Sequence, residues 1–347
     1  MIEKMIHSIQ KELQQSGFDL CHPIHTAWYN YLIKDEGLVE NGALKTMPEP
    51  SAILDGDGEE STICNCNALL IGNSKKIWPV FLKWLASKVE QKKKENVYFT
   101  DEEALAEVTS PFDTFVQETL PQALLRGCKG RSELKSYELF WSNGKRQKVN
   151  TSDQFDDSAN SGDTTSAEKE YHCYEENEQS FLVSMQRVAT TTGQYWHDDE
   201  ATKLCVHPEY GTWTAFRTVV VFETTSSCRM RCSIPPAPPL CACPVTKEES
   251  QMAKTVFDYA LSVSSSDEEG YGATLDKSWA ELCVYLHGTV CSGSKWENVP
   301  DSMKPWIQLR DCISVGREKW KYSQAQLLYH YTKDPEILST ELKRIRC

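Results

Sequence analysis

Apolar side chains recur at Ile2, Met5, Ile6, Ile9 and Leu13, the spacing of one helix face. Residues 2–15 are therefore predicted as an amphipathic helix, which Ser16-Gly17 ends. The segment His25 to Leu32 follows, with Trp28 and Tyr29 as bulky apolar anchors, and residues 36–63 are polar and read as a loop. Ala68 to Ile71 reads as a short strand that turns through Gly72-Asn73-Ser74 into a helix from about Pro79 to Gln91. The apolar face of that helix is Val80, Leu82, Leu85 and Val89. Residues 101–125 are helical with an interruption at Pro111, and Tyr137 to Trp141 is a strand. Residues 181–196, carrying Phe181, Leu182, Met185, Val188 and Ala189, suit a helix packed on a sheet.

The strongest strand pattern is Trp213 to Glu223, where Phe216 and Thr218 to Phe222 are nearly continuous β-formers. Such a run suits a central strand buried on both faces. Leu204 to His207 is a second strand, and Pro208-Glu209-Tyr210-Gly211 between the two predicts a hairpin. Pro235, Pro236, Pro238 and Pro239 mark a loop. Helices are expected over 250–262 and 277–287, and over 320–346 with a break at Asp334-Pro335. Residues 151–178 differ from all of this, with nine acidic residues, one lysine and few apolar groups. Burial cannot repay the ordering entropy of such a segment, so it is read as a disordered insertion.

The 347 residues are 40% hydrophobic and 25% charged, which is ordinary globular composition. A net charge of −13 argues against a phosphate-backbone partner, hence against nucleic-acid binding. No apolar run approaches the roughly 20 residues of a membrane span. The charged, amphipathic N-terminus lacks the apolar core of a signal peptide, so the expectation is a soluble, cytoplasmic protein without membrane partners.

Fourteen cysteines then read as reduced thiols. Cys64 and Cys66 form one cluster. Cys228, Cys232, Cys241 and Cys243 form another with C-x3-C-x8-C-x-C spacing, which fails the paired-knuckle pattern of a zinc site, so no metal site is expected. Hydrolase, metalloprotease, Walker and dinucleotide fingerprints are absent. Cys205 and His207 are two apart on a strand and face the same way. The pair suits either a nucleophilic dyad or plain packing with a hydrogen-bonded histidine. Arg217 lies in an apolar strand where an unpaired guanidinium is costly. It either pairs with a buried carboxylate or projects into a pocket that binds an anion.

Residues 205–222, CVHPEYGTWTAFRTVVVF, resemble the signature segment of the cobalamin-processing family of methylmalonic aciduria and homocystinuria type C (cblC). Three further blocks agree in order: Ala27-Trp28-Tyr29-Asn30, Arg310-Asp311, and Lys321-Tyr322-Ser323 through Gln326 and Tyr329. The resemblance implies an α+β, nitroreductase-like flavin-reductase fold with a central, mainly antiparallel sheet flanked by helices. It implies one domain in two parts, 1–150 and 179–347, around the acidic insertion 151–178, with a Pro/Cys-rich loop at 228–244.

The implied function is intracellular cobalamin processing, combining oxidoreductase and transferase chemistry. Base-off cobalamin (vitamin B12) loses its upper ligand, by reductive decyanation with reduced flavin (FMN or FAD) or by glutathione-dependent dealkylation. The alternatives are a non-catalytic cobalamin chaperone and a general flavin reductase. A downstream cobalamin-trafficking protein is the implied partner, with a homodimer left open. Trp141, Phe181, Leu182, Val183, Ser184, Tyr195, Trp196, His197, Cys205 and Phe216 fall at corrin-contact positions, several with residue types other than the family's usual ones. Arg217 and Arg310 match two arginines of the glutathione site. The third has no counterpart: Leu338 falls near its place, and Lys343, Arg344 and Arg346 lie beyond. No catalytic side chain is assigned.

A long polar insertion costs little in loop closure. Replacing residues 151–178 with a short Gly-Ser linker is therefore expected to leave cobalamin affinity, measured by spectral titration, within a few-fold of the parent.

Overall fold

The structure is a computed structural model that describes residues 2–49, 66–131, 134–150, 181–224, 234–264, 299 and 301–346. The acidic stretch 151–178, the expected helix over 277–287 and the cysteines Cys64, Cys228 and Cys232 lie outside the described residues. The chain divides into two compact units of interleaved segments. The first takes Met1–Asn73, Gln122–Gln194 and Ala215–Cys241; the second takes Ser74–Pro121, Tyr195–Thr214 and Ala242–Cys347.

The first unit is built on a five-stranded sheet. Its strands are β1 (Leu20–Ile24), β2 (Ala68–Asn73), β3 (Leu134–Trp141), β4 (Arg146–Asn150) and β7 (Ala215–Thr224), in the order β1-β2-β7-β3-β4. Every pairing is antiparallel. The mixed α+β class with a central antiparallel sheet is thus the observed one. Strand β7 is the middle strand, as its apolar run predicts, with Val219, Val220, Val221 and Phe222 all buried. Helices α1 (Ile2–Gln15), α2 (Thr26–Asp35) and α6 (Met185–Thr191) belong to this unit, and α6 packs on α2, β2 and β7.

Two strands escape the sequence pattern, and both lie at sheet edges. In β1, Pro23 interrupts the run, and an edge is where a strand tolerates proline. In β4 only Val149 is buried.

The second unit is mostly helical: α3 (Ile77–Glu95), α4 (Asp101–Ala106), the first part of α5 (Pro111–Cys128), α7 (Lys247–Ser264), α8 (Lys304–Asp311), α9 (Arg317–Trp320), α10 (Gln324–Thr332) and α11 (Pro335–Arg346). Thr100 and Glu103 close a capping box at α4, and the α10/α11 break falls at Asp334-Pro335 as expected. One aromatic cluster, Trp78, Phe81, Trp84, Phe112, Phe115 and Tyr329, joins α3, α5 and α10. A second core packs Val206 against Ala253 and Val256 of α7 and Leu309, Cys312 and Ile313 at α8.

Two expectations are corrected. The hairpin from Leu204 to Glu223 does not form. Instead β6 (Cys205–Val206) pairs with β5 (Trp196–His197) in a separate two-stranded ribbon, while β7 joins the large sheet. The turn after β6 closes on itself through reciprocal backbone bonds between His207 and Gly211, and so returns no strand to β6. The helix over 181–196 shrinks to α6, and Phe181–Ser184 lie outside it, with Ser184 extended at the N-cap. The backbone of that stretch is claimed from outside: Phe181 N donates to Gly144 O, Lys45 N to Leu182 O, and Ser184 N to Tyr29 Oη.

Gly211 (φ +59°) and Gly316 (φ +67°) let two backbone segments of the second unit press together. A Cβ on Gly211 would fall inside the Val315 carbonyl, and one on Gly316 inside the Glu209 carbonyl. Gly42 (φ +72°) has the same backbone conformation with nothing within 4 Å. Gly42→Ala is expected to cost only the left-handed penalty of about 1–2 kcal/mol. Gly211→Ala adds a backbone overlap and is expected to cost ~3–5 kcal/mol, in the range of severe single-residue effects. Urea unfolding of both variants checks the difference.

Candidate functional site

Strand β7 carries the first half of the site. Its register against β2 shifts between Ile71, opposite Thr218, and Gly72, opposite Phe216. Arg217 is the extra residue of this bulge. A bulge frees one residue from the ladder and re-aims its side chain, which is how an arginine is accommodated in an otherwise apolar strand. Gly72 is required opposite, because a Cβ there would come within 2.8 Å of Ala215 O. The Arg217 backbone carbonyl accepts from Ser142 N at 3.0 Å, and its Nε donates to Oδ1 of buried Asn73 at 2.7 Å.

Beside the bulge lies an open groove of about 560 Å³, within the usual size of small-molecule sites. Of the sequence-predicted residues, Leu182, Val183, Ser184 and Phe216 line it, with Leu38, Leu44, Ser142 and Arg187. Leu182 is exposed, Val183 is buried, and Ser184 caps α6 by accepting from Arg187 N. Phe181 and half-buried Trp141 are not part of the lining. They flank the 141–145 turn, where Phe181 N reaches Gly144 O and its ring tilts against Phe140 at 5.2 Å.

Arg187, paired with Glu36, and Ser142 were not foreseen. The Ser-Asn-Gly turn at 142–144 was a readable signal for the hairpin that presents Ser142, whereas no local pattern marks Arg187 as a groove residue.

Tyr195, Trp196, His197 and Cys205 come together in the second unit, on the β5–β6 ribbon, with Trp196 opposite Val206 and His197 opposite Cys205. The Tyr195 ring is fully buried, edge-on to His207 at 5.0 Å. Trp196 packs on the α7/α8 core.

The two readings of Cys205 and His207 can now be separated. Burial pushes the Cys205 thiol up to about 12, so it is protonated at neutral pH. His207 Nδ1 accepts from Glu209 N at 3.0 Å and Tyr210 N at 3.3 Å, which pins the turn. A half-buried, protonated thiol and an imidazole whose Nδ1 is committed to backbone do not make an activated nucleophile.

Arg310 is enclosed by aromatic rings and backbone of the second unit. Its guanidinium lies 4.9 Å from the Trp213 ring and 4.7 Å from the Tyr322 ring. Nε and Nη2 donate to Thr212 O at 3.1 and 2.7 Å, and Nη2 reaches Thr214 O at 3.4 Å. Thr212 Oγ1 returns a bond to Arg310 O. Burial acts against its charge, but the neighbouring Tyr322 and Tyr331 hydroxyls hold it above the usual arginine range. These bonds clamp the 212–214 backbone. Of the cysteine clusters, Cys66 is buried, Cys241 half-buried and Cys243 exposed. Among the described residues no group of three or more His, Cys, Asp or Glu side chains is placed to hold a metal ion, and no described helix is long and apolar enough to cross a membrane.

Burial lowers His207 below the ordinary imidazole value, with Glu209 opposing. The folded chain then binds fewer protons than the unfolded chain as pH falls through about 6.5. Stability contributed by this residue is complete above that pH and is lost as pH drops toward the folded-state value. His207→Asn, whose Oδ1 can accept the same backbone bonds, is expected to flatten the dependence of urea midpoint on pH between about 7 and 5. An unchanged slope would mean that His207 does not titrate differently in the two states.

No family model matches the chain, and no curated protein matches it. Among solved structures it is similar to a B12-trafficking protein CblC of C. elegans, a homologue of human MMACHC. The two are 17% identical, the match covers 90% of this chain and 97% of that one, and the TM-score is 0.42.

Proposed function

We propose that this chain processes cobalamin: it binds the base-off form and removes the upper axial ligand. The observation that carries the reading is the bulge of β7. The segment that resembles the cblC signature contains the bulged Arg217, and Phe216 beside it lines the open groove. A corrin is a wide, partly apolar disc, and the groove offers apolar side chains beside the non-helical backbone of 182–184. The proposed corrin contacts are Trp141, Phe181, Leu182, Val183, Ser184, Tyr195, Trp196, His197, Cys205 and Phe216.

On this reading a reduced flavin, FMN or FAD, supplies electrons for decyanation, and glutathione supplies the thiolate that accepts an alkyl group. The chain's own residues hold and orient these molecules. Arg217 and Arg310 are the proposed carboxylate partners of glutathione, a role that suits guanidinium. The protein is proposed to act in the cytoplasm and to pass its product to a cobalamin-trafficking partner. One observation favours the chaperone alternative: Nε and Nη2 of Arg310 are already bound to backbone carbonyls.

The test is methylcobalamin dealkylation against glutathione concentration, beside direct methylcobalamin titration. Arg217→Ala is expected to weaken glutathione use by about 1.5–3 kcal/mol, the range for a charged hydrogen bond, and to leave cobalamin affinity within a few-fold. Arg217→Lys is expected to rescue only part, since it restores charge without the planar fork. Arg310→Ala is expected to lower both glutathione use and thermal stability, because it also removes the clamp on 212–214. Cobalamin binding with no loss of the upper ligand in the unmodified protein would select the chaperone. Failure to bind cobalamin at all would reject the proposal.

A further inference from the structure

Residues 234–240, Ile-Pro-Pro-Ala-Pro-Pro-Leu, are assigned no part in cobalamin chemistry, yet they occupy a defined place in the first unit. Each proline fixes its own φ, and each residue before a proline is driven to extended conformations. The stretch is therefore set in an extended, polyproline-like form before it meets any surface. It lies along helices α2 and α6. Trp28 Nε1 donates to Pro235 O at 2.8 Å. At the other end the chain after α6 comes so close that a Cβ on Gly193 would sit 2.7 Å from Pro239 O and 3.0 Å from Pro238 Cβ. An aromatic wall whose indole N–H bonds a proline carbonyl, with close backbone approach beyond it, is the recognition chemistry of proline-rich peptides.

The segment does not fill the surface it lies on. A groove of about 520 Å³ remains between α2, the end of α6 and residues 237–240. Tyr31 on its wall is 55% exposed and Leu240 is 75% exposed. Large apolar side chains left open beside a partly covered groove mark an interaction surface.

We propose that the α2–α6 face is a docking site for a proline-rich peptide of a partner protein, and that residues 234–240 guard it in cis. Tethering gives the guard an effective concentration on the order of millimolar. A partner peptide must therefore displace it, or extend past it over Tyr31.

The probe is a synthetic peptide of residues 234–240, beside a control with its four prolines changed to alanine. It is titrated into the full chain and into a variant whose residues 234–240 are replaced by Gly-Ser of equal length, with calorimetry and the part of the intrinsic tryptophan fluorescence change that Trp28→Phe removes as readouts. The replaced chain is expected to bind the proline peptide at least ten-fold more tightly than the parent does. The alanine control should bind at least ten-fold more weakly, and Trp28→Phe in the replaced chain should abolish the tight phase. Should the full replacement unfold, the milder double variant Ala237→Gly, Pro238→Gly loosens the guard and should raise affinity at least three-fold. Equal affinity of parent and loosened chains, or equal binding of both peptides, overturns the proposal. So does self-association of the replaced chain that the peptide fails to compete, which would make a second copy the occupant. None of these readouts involves cobalamin, so the outcome is separate from that of the cobalamin reading.

Discussion

Strand β7 must bond its backbone along both edges while carrying a charged residue through an apolar layer, and the first unit is arranged around that demand. From Thr218 to Phe222 the strand meets it in the ordinary way, with β2 on one side and β3 on the other. At Arg217 it cannot, because a regular ladder would commit that side chain to one sheet face among valines and phenylalanines. The bulge resolves the conflict. It takes Arg217 out of register with β2, gives its carbonyl to Ser142 N and its Nε to Asn73, and places Phe216 at the wall of the groove. Gly72 is the matching concession on β2. The groove thus lies where the sheet is locally irregular, as bulges near functional sites commonly do.

What the sequence reveals follows from the range of the interactions involved. The 3.6-residue repeat of residues 2–15 and the β-branched run of 218–222 are local patterns, and both become the predicted elements. The pairing of β6 is not local. Leu204 to His207 has the composition of a strand, but its partner is Trp196–His197, upstream, and not the obvious strand downstream. The HPEYG segment looked like a hairpin turn. Its His207 Nδ1 and the His207–Gly211 bonds close it as a self-contained loop, which sequence spacing alone does not distinguish. Residues 181–184 fail as helix for a related reason. Their apolar residues fit a helical face, but Gly144, Lys45 and Tyr29 take their backbone bonds from far along the chain. In the groove, Leu182, Val183, Ser184 and Phe216 could be named from the motif. Arg187 could not, since its place depends on the fold of α6 against α2.

The two candidate anion-binding arginines illustrate different ways of placing a guanidinium. Arg217 is tolerated by irregular backbone and an amide partner, with one bond through Nε. Arg310 is enclosed by two aromatic rings and by the backbone it supports. The second arrangement holds the planar group rigidly but assigns Nε and Nη2 before any ligand arrives, so a carboxylate would have to approach the remaining edge or displace a carbonyl. Displacement would loosen 212–214, the residues that lead directly into β7.

Side-chain chemistry narrows how any reaction at these residues can proceed. Cys205 is a protonated thiol at neutral pH, and His207 is a neutral imidazole whose Nδ1 lone pair is already directed at backbone N–H groups. Leu182, Val183 and Phe216 offer apolar surface to the groove, Ser184 is committed as a helix cap, and Arg187 is ion-paired. Neither Cys205 nor His207 is thus set up as a nucleophile. On the proposed reading the nucleophile or the electrons come from a second bound molecule. That reading is consistent with the burial of one thiol and the hydrogen bonds of one imidazole.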